Sequence, residues 1–143
     1  KAASEMLRVT RSGGRIGLAS WTPSGFIGEL FKLLGRHVPP PAGLQSPALW
    51  GTEAHVGELF GQHASDIRMV RKTFAFRYRS AAHWLQIFRD YYGPINRAFA
   101  ALDAAGRGNL EADIVALLDR LNEGGSASLV IPGEYLEVVV LKR

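Results

Sequence analysis

The feature that most constrains this chain is residues 7–20, Leu-Arg-Val-Thr-Arg-Ser-Gly-Gly-Arg-Ile-Gly-Leu-Ala-Ser. Met6, Leu7 and Val9 supply the apolar positions of a short helix, and one of the pair Gly13-Gly14 can take the positive φ that ends it. Arg15 then opens a strand in which Ile16 and Leu18 point one way and Gly17 and Ala19 the other. Neither face carries a charge until the segment ends, so the strand reads as buried on both sides, between layers of helix. An antiparallel strand with one wet face would alternate apolar with polar instead. Helix, double-glycine turn and apolar strand together predict an α/β fold.

The same residues resemble the late motif of class I S-adenosylmethionine-dependent methyltransferases. In that family a helix ending Leu-Arg-x-x-(Arg/Lys)-(Pro/Ser)-Gly-Gly-(Arg/Lys) feeds the fifth strand of the sheet; here the run is Leu7 to Arg15. Further along, the resemblance is one of element order, to the small-molecule branch: a helical insert, a long strand, more helices and a last strand with a basic tail. It implies the C-terminal portion of a Rossmann-like methyltransferase sheet, of three or so strands, with the last strand antiparallel between the fifth and sixth. The local order is then Arg15 strand, C-terminal strand, basic strand. The double-glycine turn of the family is structural and marks no chemistry.

The family holds its cofactor with a Gly-rich loop after the first strand and an acidic residue ending the second. This chain has no Gly-x-Gly-x-x-Gly and begins at Lys1. The resemblance therefore implies a C-terminal piece, residues 1–143 as a single domain, inactive alone. Its cofactor, S-adenosyl-L-methionine, is then held mostly outside it, and none of its own residues is expected to bind cofactor.

At 143 residues, 47% of them hydrophobic, the chain is long enough for a core of its own. No apolar run approaches the roughly 20 residues that span a bilayer, and no signal segment opens the sequence, so it reads as cytoplasmic, with no membrane span. The absence of cysteine excludes disulfides, Cys-based zinc sites and thiol nucleophiles. His37, His55, His63 and His83 are scattered, and no metal is implied. The net charge of +4 has a visible source in Arg68, Arg71, Lys72, Arg77 and Arg79. Phe74, Phe76 and Tyr78 interleave with that run, as stacking platforms for nucleic acid would. Alternation, however, puts the three aromatics on one face, as in an outer strand with its aromatics in the core, and no nucleic-acid partner is expected.

Residues 21–64 and 80–125 read as helical, substrate-side insertions. Trp21 roots a loop of turn formers at the carboxyl end of the Arg15 strand, where open α/β sheets place their ligands. Apolar residues at helical spacing from Gly25 to Gly35 predict a helix that either packs wholly in the core or is a lid whose Phe26 and Phe31 close over an apolar substrate, and the methyltransferase resemblance implies the lid. Pro39-Pro40-Pro41 forces an extended stretch, and Thr52 caps a short helix that Gly61 stops. In the basic strand, Ile67 and Met69 are odd positions whereas Phe74, Phe76 and Tyr78 are even; a bulge or break near Val70 to Lys72 would keep both sets inward. Ser80, Pro94 and Gly124-Gly125 punctuate three helices, and Pro132-Gly133 predicts a kink or turn between Ser128–Ile131 and Tyr135–Leu141.

The function this implies is the substrate-side half of a methyltransferase acting on a small, lipophilic or aromatic acceptor. Trp21, Phe26, Phe31, His83, Trp84, Tyr91 and Tyr92 are the candidate substrate-binding residues. No triad or carboxylate pair has catalytic spacing, and His37 and His83 are the candidate general bases. The alternative is a noncatalytic α+β small-molecule-binding or dimerisation module. The Arg15 strand leaves an unpaired sheet edge, so association between copies is expected.

Overall fold

The computed structural model describes residues 1–143. Helix α1 (Ala2–Val9) turns Ala3 and Leu7 inward. Val9 is 69% exposed, a correction to the apolar triplet: it lies about 200° around the helix from Leu7, on the solvent side. Gly13 takes φ 70° and turns the chain into β1 (Arg15–Trp21).

After β1 come α2 (Phe26–His37), a 3₁₀ turn at Pro47–Gly51, α3 (Glu53–Phe60) and β2 (Ala64–Tyr78). Three helices follow, α4 (Ala81–Tyr91), α5 (Gly93–Ala101) and α6 (Ala104–Leu121), before the last strand, β3 (Leu129–Lys142). The expected caps are present: the hydroxyls of Thr52 and Ser80 accept from the backbone N–H of His55 and His83, and Pro94 opens α5. Asp103 caps α6 in the same way.

The sheet has the order β1-β3-β2, and β3 runs antiparallel to both neighbours, so β1 and β2 point the same way. The protein is thus α/β in content, with the last strand in the middle of a three-stranded antiparallel sheet.

The change of phase in the basic strand has a cause other than a bulge. Pairing of β2 with β3 runs without a shift from Asp66 to Tyr78, and the one irregularity lies earlier, between Ala64 and Asp66. The two apolar sets instead face opposite sides of the sheet, into two separate cores. Ile67 and Met69 join Ile16, Leu136, Val138 and Val140 beneath α1 and α3. Phe76 joins Leu129 and Ile131 beneath α2, α4, α5 and α6. A fully buried Leu, Val or Phe contributes about 1.5–3 kcal/mol. Each half of the sheet therefore has strong reason to turn its apolar set toward whichever helices cover it.

This arrangement corrects two further expectations. β1 is buried on one face only: Ile16 is inside and Leu18 half-buried, but Gly17 and Ala19 are exposed, because no helix of this chain covers that part of the sheet. β3 also passes through Pro132-Gly133 without a turn. Val130 directs its N–H to the Asn122 Oδ1 (2.8 Å) and accepts from Glu123 N with its carbonyl, away from β2. Pro132, two residues on, has the same orientation, and β1 has already ended opposite Tyr135. Proline's missing N–H thus costs no ladder bond there.

The end of β3 locks the opening turn. Lys142 N donates to the Gly14 carbonyl (2.9 Å), while its Nζ donates to the carbonyls of Leu7 (2.7 Å) and Thr10 (2.6 Å) at the end of α1. A cation satisfying final helix carbonyls is a favourable C-terminal cap. Lys142→Met, which keeps the apolar stem, is expected to lower stability by about 1–3 kcal/mol in urea unfolding, with α1 the first helix to fray. An unchanged midpoint would show that these bonds add nothing over water.

Candidate functional site

Trp21 ends β1 with its side chain on the sheet face that carries Phe74, Phe76 and Tyr135. Its ring lies 5.4 Å from Phe76, 6.0 Å from Tyr135 and 6.5 Å from Phe74, centroid to centroid. Phe76 is buried, Trp21 and Tyr135 are half-buried, and Phe74 is 53% exposed. The group forms an aromatic floor between the helix-covered part of this face and the bare part beyond Ala19. Lys72 stands in the same row as Tyr135 and Trp21 and donates to Glu137 Oε2 at 2.7 Å. That bond is the main cause holding the Lys72 ammonium protonated above its ordinary range, so the pair persists through neutral pH and is lost only as pH rises past that raised value.

Two close backbone approaches fix the carboxyl end of β1. A methyl on Gly51 would lie 2.6 Å from the Trp21 carbonyl carbon and 2.8 Å from Thr22 Cα, and one on Gly28 would lie 2.5 Å from the Pro23 carbonyl carbon. Thr22 between them is fully buried, its N–H bonded to the Glu134 carbonyl at 3.1 Å. The chain from Trp21 to Pro23 is gripped between the 3₁₀ turn and the first turn of α2.

The other candidate residues are dispersed. Phe26 and Trp84 lie inside the helical core, 5.6 Å apart edge to face, with Trp84 stacked on Phe88 at 3.9 Å. Tyr92 is half-buried against Phe88, and burial pushes its phenol up. Tyr91, at 82% exposed, points to solvent. His83 accepts at Nδ1 from the Arg79 N–H (3.4 Å) and lies beside Tyr78, tied to the start of α4. His37 pairs with Asp113 at 2.8 Å. Phe31 is at the far side of α2, where it lines an apolar cavity. Of the named residues, Trp21 belongs to the floor and Phe26 touches it from the core side, edge to face with Phe76 at 5.4 Å. Phe74, Phe76 and Tyr135, which complete it, are not among them; the signals available were the even-numbered aromatics of β2 and the place of Tyr135 in the last strand. No group of three or more His, Asp and Glu side chains is disposed to hold a metal.

Chemically, the floor presents aromatic faces, with the Tyr135 phenol among them and the Lys72 ammonium in the same row tied to Glu137. No family model matches the sequence. The chain is 33% identical to an uncharacterized protein of Mycobacterium tuberculosis over 146 aligned positions, which cover 99% of this chain and 52% of that protein. A second uncharacterized M. tuberculosis protein is 36% identical over 104 residues, 71% of this chain and 38% of its own length. Mycobacterium bovis carries a protein with the same 33% identity and coverage as the first. The chain spans about half the length, or less, of the curated relatives it matches.

Proposed function

We propose that this chain is the substrate-side half of an S-adenosylmethionine-dependent methyltransferase acting on a small lipophilic or aromatic acceptor. The observation that carries the reading is the strand order. The strand that follows the Gly13-Gly14 turn lies at one side, the last strand runs antiparallel in the middle and the basic strand lies beyond it. That is the order the motif's resemblance implies. The greater length of the relatives is in keeping with it, since it leaves room for a cofactor-binding half.

The residues present do not make a cofactor site by themselves. At the carboxyl end of β1 the nearby carboxylate, Glu134, is paired with Arg71 at 3.1 Å, and the backbone around Thr22 is bonded within the chain. Under this reading the cofactor is held by the other half. The residues of this half wall the acceptor, exclude water and orient it, which is where positioning lowers a barrier. Trp21 and Phe74 supply apolar faces for a planar acceptor, and Gly28 and Gly51 hold Trp21 in place.

The alternative, a noncatalytic small-molecule-binding module, draws on a different observation: an apolar cavity of about 650 Å³ lies at the far end of α2, away from the floor. Methyl transfer decides between the two. Radiolabelled S-adenosylmethionine is incubated with the full-length protein and a panel of planar lipophilic acceptors. Label in an acceptor supports the proposal; none across the panel, with the protein folded, favours the binding module.

A further inference from the structure

At the far end of α2, segment 38–47 stands off from α5 and leaves the cavity of about 650 Å³, within the roughly 300–1,000 Å³ typical of small-molecule sites. Its walls are apolar, with Phe31, Leu34 and Val38 on one side and Ala98 on the other. Pro40, Pro47 and Pro94 also line it, and their fixed φ stiffens the backbone that holds it open. Leu44 at the wall is 65% exposed, a large apolar side chain that nothing in this chain covers.

One charged residue lines the cavity, Arg97 of α5. The carboxylates that form ion pairs do so with Arg8, His37, His55, Arg71, Lys72 and Arg120, which leaves Arg97 without a counter-ion. An apolar cleft with one unpaired guanidinium selects for an amphiphile. The walls remove an aliphatic chain from water, and the planar fork of Arg97 takes a carboxylate head by paired hydrogen bonds. A cationic head would be repelled there, and a neutral one, with only the uncharged Gln45 and Ser46 beside it, would bind more weakly than an anion.

We infer that this cavity binds a single-chain anionic amphiphile, of which a medium-chain carboxylate is the simplest case. The inference is independent of methyl transfer, since none of Trp21, Phe74 and Tyr135 lines the cavity.

Calorimetry on the 143-residue chain tests it, with decanoate, decanol and decyltrimethylammonium each kept below its micelle threshold. Decanoate is expected to bind saturably, one to one, decanol more weakly, and the cation not at all. Arg97→Gln should weaken decanoate about fivefold or more and leave decanol unchanged. Gly35→Leu should abolish binding of both, because a side chain there grows into the cavity; its Cβ would meet only Pro40 Cδ, at 3.9 Å, so the helix accepts it. Absence of saturable decanoate binding, equal affinity for the three probes, or unchanged decanoate affinity in either variant would overturn the assignment. Arg97 is exposed and makes no internal bond, so its variant keeps the test decisive even if Gly35→Leu disturbs α2.

Discussion

Gly51→Ala is expected to cost more than about 3 kcal/mol or to abolish cooperative unfolding, a larger effect than overpacking a core usually brings. The reason is contact with backbone. Gly51 has no positive φ, so the substitution adds no conformational strain; the new methyl instead meets the Trp21 carbonyl group and Thr22 Cα, neither of which can rotate aside. Relief requires the 3₁₀ turn to move off β1, which uncovers buried Ala48 and breaks the packing of Trp50 against Phe60. Gly57→Ala supplies the control. It lies inside α3 with nothing within 4 Å of the added atom, so the gain in helix propensity, about 0.5–1 kcal/mol, should appear as a stabilisation. Urea unfolding of the two variants should give shifts of opposite sign. Equal, small shifts would mean that the grip on Trp21 is looser than described.

On the proposed methyltransferase reading, Phe74→Ala is expected to raise the acceptor KM of the longer protein roughly tenfold while leaving affinity for S-adenosylmethionine unchanged. Phe74 is the member of the floor that can be removed most cheaply, because half of its ring already faces water. It sits 4.9 Å from Phe76, edge to face, and its loss leaves that buried ring in place. A residue that only supported the fold would move the melting temperature and both ligands together. Trp21→Leu should show the same split with a larger stability cost, since its ring also packs on Phe76 and Tyr135. Unchanged acceptor kinetics in both variants would return these aromatics to the fold alone.

Much of the architecture was legible because local chemistry and tertiary structure agree. The Gly13 turn, the Thr52 and Ser80 caps and the Pro94 start are written in single residues whose conformations are nearly obligatory. Two-sided cores are harder to read. The odd-to-even change between Met69 and Phe74 looks the same in sequence whether the strand bulges or the covering helices change sides, and only the placement of α1 and α3 opposite α4 to α6 distinguishes them. Pro132 misled for a related reason: whether its missing N–H matters depends on where β1 stops.

The candidate site was legible only at Trp21. Phe26 and Trp84 share with Phe31 the same apolar spacing on their helices, yet the first two are interior and the third borders a cavity, a difference set by what packs against each helix. Tyr91 and Tyr92 are adjacent, and one helical step of about 100° separates an exposed ring from a half-buried one. Arg97 gave no sign in the sequence, since its interest lies in the apolar walls around it and in the lack of a partner.

The methyltransferase proposal is tested most directly by calorimetric titration of S-adenosylmethionine into two proteins, the 143-residue chain and the longer protein of which the proposal makes it a part. Stoichiometric binding with micromolar affinity is expected to the longer protein and none to the 143-residue chain, to which the proposal assigns no cofactor site. Stoichiometric binding to the shorter chain, or none to the folded longer protein, would contradict it.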